Sequence, residues 1–193
     1  MSARARILAA LRDAHVTQPA ADVPREPAAA DPADPARALA DFRAGVEAAS
    51  GVLHVLEAGT SVAEYNRGLH ASASTVCAAE GLWPVAVDAP TDLATLDVAV
   101  AHGHFGVTEN GAVWVDGVAG VPRAALWLCR HLVLVVPRDS LLPDMHAAYA
   151  RLGQARMPDF GAFISGPSKT ADIEQCLVIG AHGPLSLDVV LTI

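Results

Sequence analysis

The spacing of apolar residues along this 193-residue chain changes several times, and each change marks an element. Ile7, Leu8 and Leu11 form an i, i+1, i+4 group with Arg4 and Arg6 opposite, which predicts a short helix over residues 1–14. Val16–Ala36 then carries Pro19, Pro24, Pro27, Pro32 and Pro35 among Ala and Asp. Proline removes backbone donors and turns the preceding residue away from helix, so residues 15–37 read as an extended linker. The compact domain is expected over residues 38–193.

Within it, Leu39–Ala49 reads as a helix stopped by Gly51, Val52–Leu56 as a strand and Ser61–Leu69 as a second helix. Short strands are expected near Ser74–Cys77 and Pro84–Val87, and Val98–Ala101 and Ala112–Val115 are further apolar runs. Pro122–Cys129 suits a helix with proline in its first turn. His131–Val136 has no alternation, as expected of a strand covered on both faces. A helix over Pro143–Leu152 and strands at Phe160–Ser165 and Ser186–Thr192 complete the series. Strands alternating with helices predict an α/β fold: a mainly parallel sheet flanked by helices in a three-layer sandwich. Ligands of such sheets sit beyond the carboxyl ends of strands, so the polar, glycine-rich segments there are the places to look for chemistry.

Composition narrows the partners. Hydrophobic residues make up 52% of the chain and charged residues 18%, ample for a core. The net charge of −8 argues against nucleic acid, whose phosphates require a basic face. No apolar run reaches the length of a membrane span, and Arg12 and Asp13 cut the N-terminal run too short for a signal peptide. Cys77, Cys129 and Cys176 are dispersed, so neither a disulfide framework nor an iron–sulfur site made by this chain alone is expected, and the cytoplasm is the expected compartment.

Three segments carry candidate chemistry. The first, Ala101–Gly111, gathers His102, His104, Glu109 and Asn110 among glycines. Glu109 has the chemistry of a nucleophile or base and Asn110 that of an oxyanion donor. Asn110-Gly111 is equally a type I′ hairpin signal. His102 and His104 would share a face if the segment were extended, giving a metal alternative. The second, Phe163–Glu174, holds Ser165, Gly166, Ser168, Lys169, Thr170 and Asp172; a helix opening near Ser168–Thr170 would offer free N–H groups to an anion. It lacks the glycines of a phosphate-binding P-loop. The third, Gly180–Pro184, contributes His182, a candidate acid or base, and Gly183.

The stretch F-I-S-G-P-S-K-T-A-D-I-E at Phe163–Glu174, followed by G-A-H-G-P at Gly180–Pro184, resembles the signature of the LUD-domain family, that of lactate utilisation protein C. The resemblance implies a fold like that of ribose-5-phosphate isomerase, glucosamine-6-phosphate deaminase and the CoA transferases. It also implies a part in oxidising L-lactate to pyruvate beside separate iron–sulfur proteins, with a small anionic ligand and no cofactor held by this chain alone. Thr108-Glu-Asn-Gly111 stands where many family members carry Ala-Glu-Thr-Gly. It also resembles the Ser-Glu-Asn-Gly motif of class I CoA transferases, which would make Glu109 a nucleophile. A stand-alone enzyme, a non-catalytic assembly module and a homo-oligomer stay open as alternatives.

Overall fold

A computed structural model describes residues 3, 4, 6, 34–85, 92–117, 120–154, 160–170 and 178–193. Residues 3, 4 and 6 have helical backbone; the rest of the expected N-terminal helix and most of the linker lie outside the described residues.

Helix α1 runs Pro35–Ala48, beginning at Pro35 rather than Leu39. Pro35 fits because the first helical turn has no use for its missing N–H, and the Asp34 carboxylate caps the turn at Ala36 N, 3.0 Å away. Residues 35–37, expected in the linker, therefore belong to the helix. The chain continues through β1 (Val52–Val55), α2 (Val62–Leu69, capped by Ser61), β2 (Val76–Ala78) and β3 (Val98–His102). Next come β4 (Phe105–Val107), β5 (Ala112–Asp116), the short helix α3 (Ala125–Leu128) and β6 (His131–Pro137). The last elements are β7 (Leu141–Leu142), α4 (Met145–Gly153), β8 (Gly161–Ile164), β9 (Lys169–Thr170), β10 (Val178–Ile179) and β11 (Ser186–Thr192).

The expected parallel sheet is present. Five strands pair in the order β1-β11-β6-β3-β2, every pair parallel. The unbroken run of β6 lies near the middle, where Leu132–Val136 are buried, as a strand covered on both faces must be. Along β11 alternation sends Leu187, Val189 and Leu191 to one face and Ser186, Asp188 and Val190 to the other.

The sequence pattern does not announce the second sheet. Strands β7-β4-β5-β8 form a four-stranded mixed layer. Val113, Val115 and Ile164 join the main core with Phe42 and Val46 of α1, whereas Phe105, Val107 and Trp114 form a separate cluster under α4 with Ala148 and Leu152. Trp114 and Phe163 anchor that cluster with ring centroids 4.7 Å apart. Short strands such as β4 and β7 leave too few positions for a period to register.

Two expectations are corrected. Pro84 and Val85 form a bend rather than a strand, and the remainder of Pro84–Val87 lies outside the described residues. Lys169–Thr170 does not open a helix: it is strand β9, paired antiparallel with β10 in a two-stranded ribbon. Ser, Lys and Thr satisfy a helix start and a ribbon equally well locally. Long-range pairing decides for the ribbon, since Ser168 N bonds Pro184 O at 3.0 Å and Ser168 O accepts from Gly180 N at 2.8 Å. Among the described residues no helix is long and apolar enough to cross a membrane.

Candidate functional site

The hairpin β4–β5 positions Thr108–Gly111. It is a hairpin, as Asn110-Gly111 predicts, but with a four-residue loop rather than a two-residue type I′ turn: Val107 pairs with Ala112. A type I′ turn needs positive φ at both central residues, and here Gly111 (φ 66°) has it while Asn110 does not. Gly111 is required on a second count. A Cβ there would collide with Val46 N and the Gly45 backbone, because helix α1 and the loop approach backbone to backbone.

The polar side chains of this loop hold structure together. Thr108 Oγ1 donates to Pro143 O at 2.8 Å, and Asn110 Oδ1 accepts from Ala112 N at 3.0 Å. Glu109 Oε2 accepts from Met145 N at 3.0 Å, placing a carboxylate at the first turn of α4, where the unpaired N–H groups and the positive dipole end favour it. The His102/His104 pairing expected of an extended segment does not form. Gly103 separates the end of β3 from a bend, and His104 turns to Asp116 instead, Nε2 to Oδ1 2.5 Å. Among the described residues no group of three or more His, Cys, Asp or Glu side chains is arranged to hold a metal ion.

Ser165 joins this loop to the second segment, its Oγ donating to Asn110 O at 2.9 Å. Gly166 (φ 76°) follows, with the Ala49 carbonyl where a Cβ would stand. The backbone bonds of Ser168 then join the second segment to the third, and Gly183 packs against the Ser168 side chain. Lys169 and His182 are both exposed and Thr170 is half-buried. Asp172 and Glu174 lie outside the described residues. The helix start expected to hold an anion is absent here, since Lys169–Thr170 is a strand and the N–H of Ser168 is bonded to Pro184 O. What converges is a set of three loops carrying one ammonium group, one imidazole and several hydroxyls. Among the described residues no hydrogen bond or ion pair links Glu109 with Lys169 or His182; its carboxylate accepts from Met145 N.

A second constellation escaped sequence reasoning. His54, Asp188, Ser186 and His131 project from one face of β1, β11 and β6, and α2 covers them with Tyr65 and, at its end, His70. His54 Nε2 lies 2.8 Å from Asp188 Oδ1, and the Tyr65 hydroxyl 3.0 Å from His54 Nδ1. His70 Nε2 stands 3.4 Å from Asp188 Oδ2, an ion-pair distance whose alignment makes no hydrogen bond. His131 Nδ1 lies 2.8 Å from Ser186 Oγ. Burial, the largest influence on Asp188, raises its pKa; the His54 bond and the nearness of His70 outweigh it and hold the carboxyl at about 2. Burial pushes the His131 imidazole down from its ordinary value, and His70 and Arg130 add to that push. The available signal was a charged residue, Asp188, within a core strand; its partner His54 stands 134 positions away, beyond any local spacing.

A cavity of about 470 Å³ opens elsewhere, at the carboxyl ends of β6 and β11, lined by Pro35, Ala38, Arg138, Asp139, Leu141, Thr192 and Ile193. None of these residues belongs to the three loops or to the histidine constellation. Its place beyond the strands' carboxyl ends is the usual one for ligands of such sheets, and Arg138, Asp139 and Thr192 are its polar lining residues.

The parallel sheet with its covering helices and second sheet defines a three-layer α/β protein. Its fold is shared by a crystal structure of a DUF162 family protein from Deinococcus radiodurans, with a TM-score of 0.60, 17% identity, and coverage of 82% of this chain and 98% of that one. The chain belongs to the LUD domain family, whose match spans residues 85–192. Among curated proteins it is 36% identical over 93 residues to "Lactate utilization protein C" of Shouchella clausii, covering 46% of this chain and 41% of that protein. It is 34% identical over 93 residues to the "Uncharacterized protein YkgG" of Escherichia coli, covering 46% and 40%. The "Lactate utilization protein C" of Bacillus subtilis is 29% identical over 100 residues, covering 49% and 42%. The shared segment thus spans well under half the length of these relatives.

Proposed function

We propose that this chain is a component of an L-lactate utilisation system, in which it binds a small carboxylate and works with separate iron–sulfur proteins. The observation that carries the reading is the LUD domain match over residues 85–192, which encloses all three converging loops and is shared with relatives named for lactate utilisation. A lactate-sized carboxylate would be held by the Lys169 ammonium, which leaves the ribbon on the face opposite the Ser168 and Thr170 side chains, with His182 on the neighbouring loop to give or take a proton. Binding rests on these side chains, because the segment is a ribbon strand and not a helix start.

Among the described residues, two of the three cysteines favour placing the clusters in partners. Cys77 and Cys129 are buried. Burial raises both thiols, Cys129 to about 12, so they are protonated thiols in a core rather than thiolate ligands. The cytoplasm is the compartment this reading implies. Isothermal titration of the full chain with L-lactate and with pyruvate tests the site: binding weakened about tenfold or more by Lys169→Ala is the expected result. Absence of binding by either acid, or binding indifferent to that substitution, overturns the assignment. Co-purification with iron–sulfur proteins from lactate-grown cells tests the partnership, and a chain that never associates with them overturns it.

A further inference from the structure

Helix α2 is fastened to the sheet partly through polar groups. Tyr65 reaches His54 on β1. Asn66, fully buried, gives its Nδ2 to Leu82 O at 3.0 Å but leaves Oδ1 without a partner. One turn later His70 ends the helix with a buried Nε2 that makes no hydrogen bond. A buried polar atom without a partner, Asn66 Oδ1, raises the cost of the closed arrangement, so this eight-residue helix opens more readily than the strands beneath it.

The His70 ring lies over that of His131, centroids 5.2 Å apart and planes at 33°. His131 opens β6 and is steadied by Ser186. The charged and titratable groups around this stack come from every neighbouring element. Asp188 faces it from β11 and is shared with His54 of β1, which Tyr65 of α2 touches in turn. Arg130 precedes β6, and Asp97 precedes β3, where its Oδ2 accepts from Ser74 N, Ser74 Oγ and Thr75 N. Residues 70–75 are therefore tied to the amino-terminal edge of the sheet at one end by Asp97 and at the other by the stacked rings. Asp188 supplies one negative charge to three histidines, which offsets one imidazolium and leaves a second in the stack uncompensated.

We propose that the His70–His131 stack is a pH-sensitive latch that holds the end of α2 and the following loop on the sheet while His131 is neutral, and releases them when His131 takes up a proton beside His70. Its sign follows from the direction in which burial moves His131. A group whose closed-state affinity for protons is lowered favours the open state in acid. The closed form is thus fully favoured above the ordinary histidine value of about 6.5 and gives way as pH falls from there through the lower value of the closed form. One proton allows at most about a tenfold change in the opening equilibrium per pH unit.

Amide hydrogen exchange of the full chain, corrected for intrinsic rates, reads this directly at His70 N, bonded to Asn66 O, and Ala73 N, bonded to His70 O. Between about pH 7.5 and about pH 5.5 protection at these amides should fall severalfold, to at most about tenfold, while amides of β6 and β11 keep theirs. His131→Gln retains a side chain able to bond Ser186 but cannot titrate, and should abolish the pH dependence. An unchanged dependence in that variant, or a loss of protection spread equally over the sheet, overturns the proposal. If His131→Gln does not fold, the His131 ring-proton titration is followed by NMR in the wild-type chain and in His70→Gln. Removing the stacked ring should raise the His131 midpoint, and an unmoved midpoint overturns the latch.

Discussion

Replacing Asp188 by Asn tests whether the buried constellation stabilises the fold through charge. The Asp188 side chain is 13% exposed and lies against His54 and His70. Its carboxyl falls from 3.8 to about 2 in the folded chain, a difference worth about 2 kcal/mol of stability at neutral pH. Because the folded value lies below the unfolded one, that stability is present above about pH 4 and is lost as pH falls through about 2. Asn preserves the shape and can still accept from His54, so the loss isolates the charge. Urea denaturation followed by circular dichroism should place the variant's midpoint about 1 M below wild type at pH 7, with a slope of about 2 kcal/mol per molar. The gap should narrow as both proteins are taken from pH 4 toward pH 2. Asp97, also low at about 2, belongs to the acid response of both proteins and cancels in the comparison. A variant within about 0.5 kcal/mol of wild type at pH 7, or an acid limb as steep as wild type's, refutes the reasoning.

Three further outcomes follow from the packing. Gly111→Ala introduces a Cβ at φ 66° onto the backbone of Gly45 and Val46, neither of which can rotate away, and should cost about 3 kcal/mol or more, read as a lowered Tm. Glu109→Gln removes the carboxylate at the first turn of α4 and should cost about 0.5–1 kcal/mol in the same melt; a neutral effect would show that the Met145 contact carries no energy. Phe42, fully buried where α1 meets the second sheet, should cost about 3–5 kcal/mol on truncation to Ala, measured by chemical denaturation.

Much of the fold is legible in the chain's own pattern. The apolar runs of β6 and β11 and the helix opening at Ser61 each have a local cause, and the structure places elements there, whereas Pro35, read as linker, opens α1. The candidate loops are legible as segments but not as geometry. Glycines and polar residues at 108–111, 165–170 and 180–184 mark places where backbone turns closely, yet nothing local says that Ser165 reaches Asn110 or that Ser168 pairs with Gly180 and Pro184. The helix expected at Ser168–Thr170 and the type I′ turn expected at Asn110-Gly111 are both local solutions displaced by such contacts.

Sequence by itself determined the class of the sheet, the family signature in the C-terminal half and the absence of clustered cysteines, because periodicity, short motifs and composition are local or additive properties. Only tertiary structure decided that Glu109 caps a helix, that residues 169–170 form a ribbon, and that His54, His70, His131 and Asp188 meet beneath α2. Parallel strands far apart in the chain lie side by side in the sheet. The groups that meet across them have no spacing to be read until the sheet has formed.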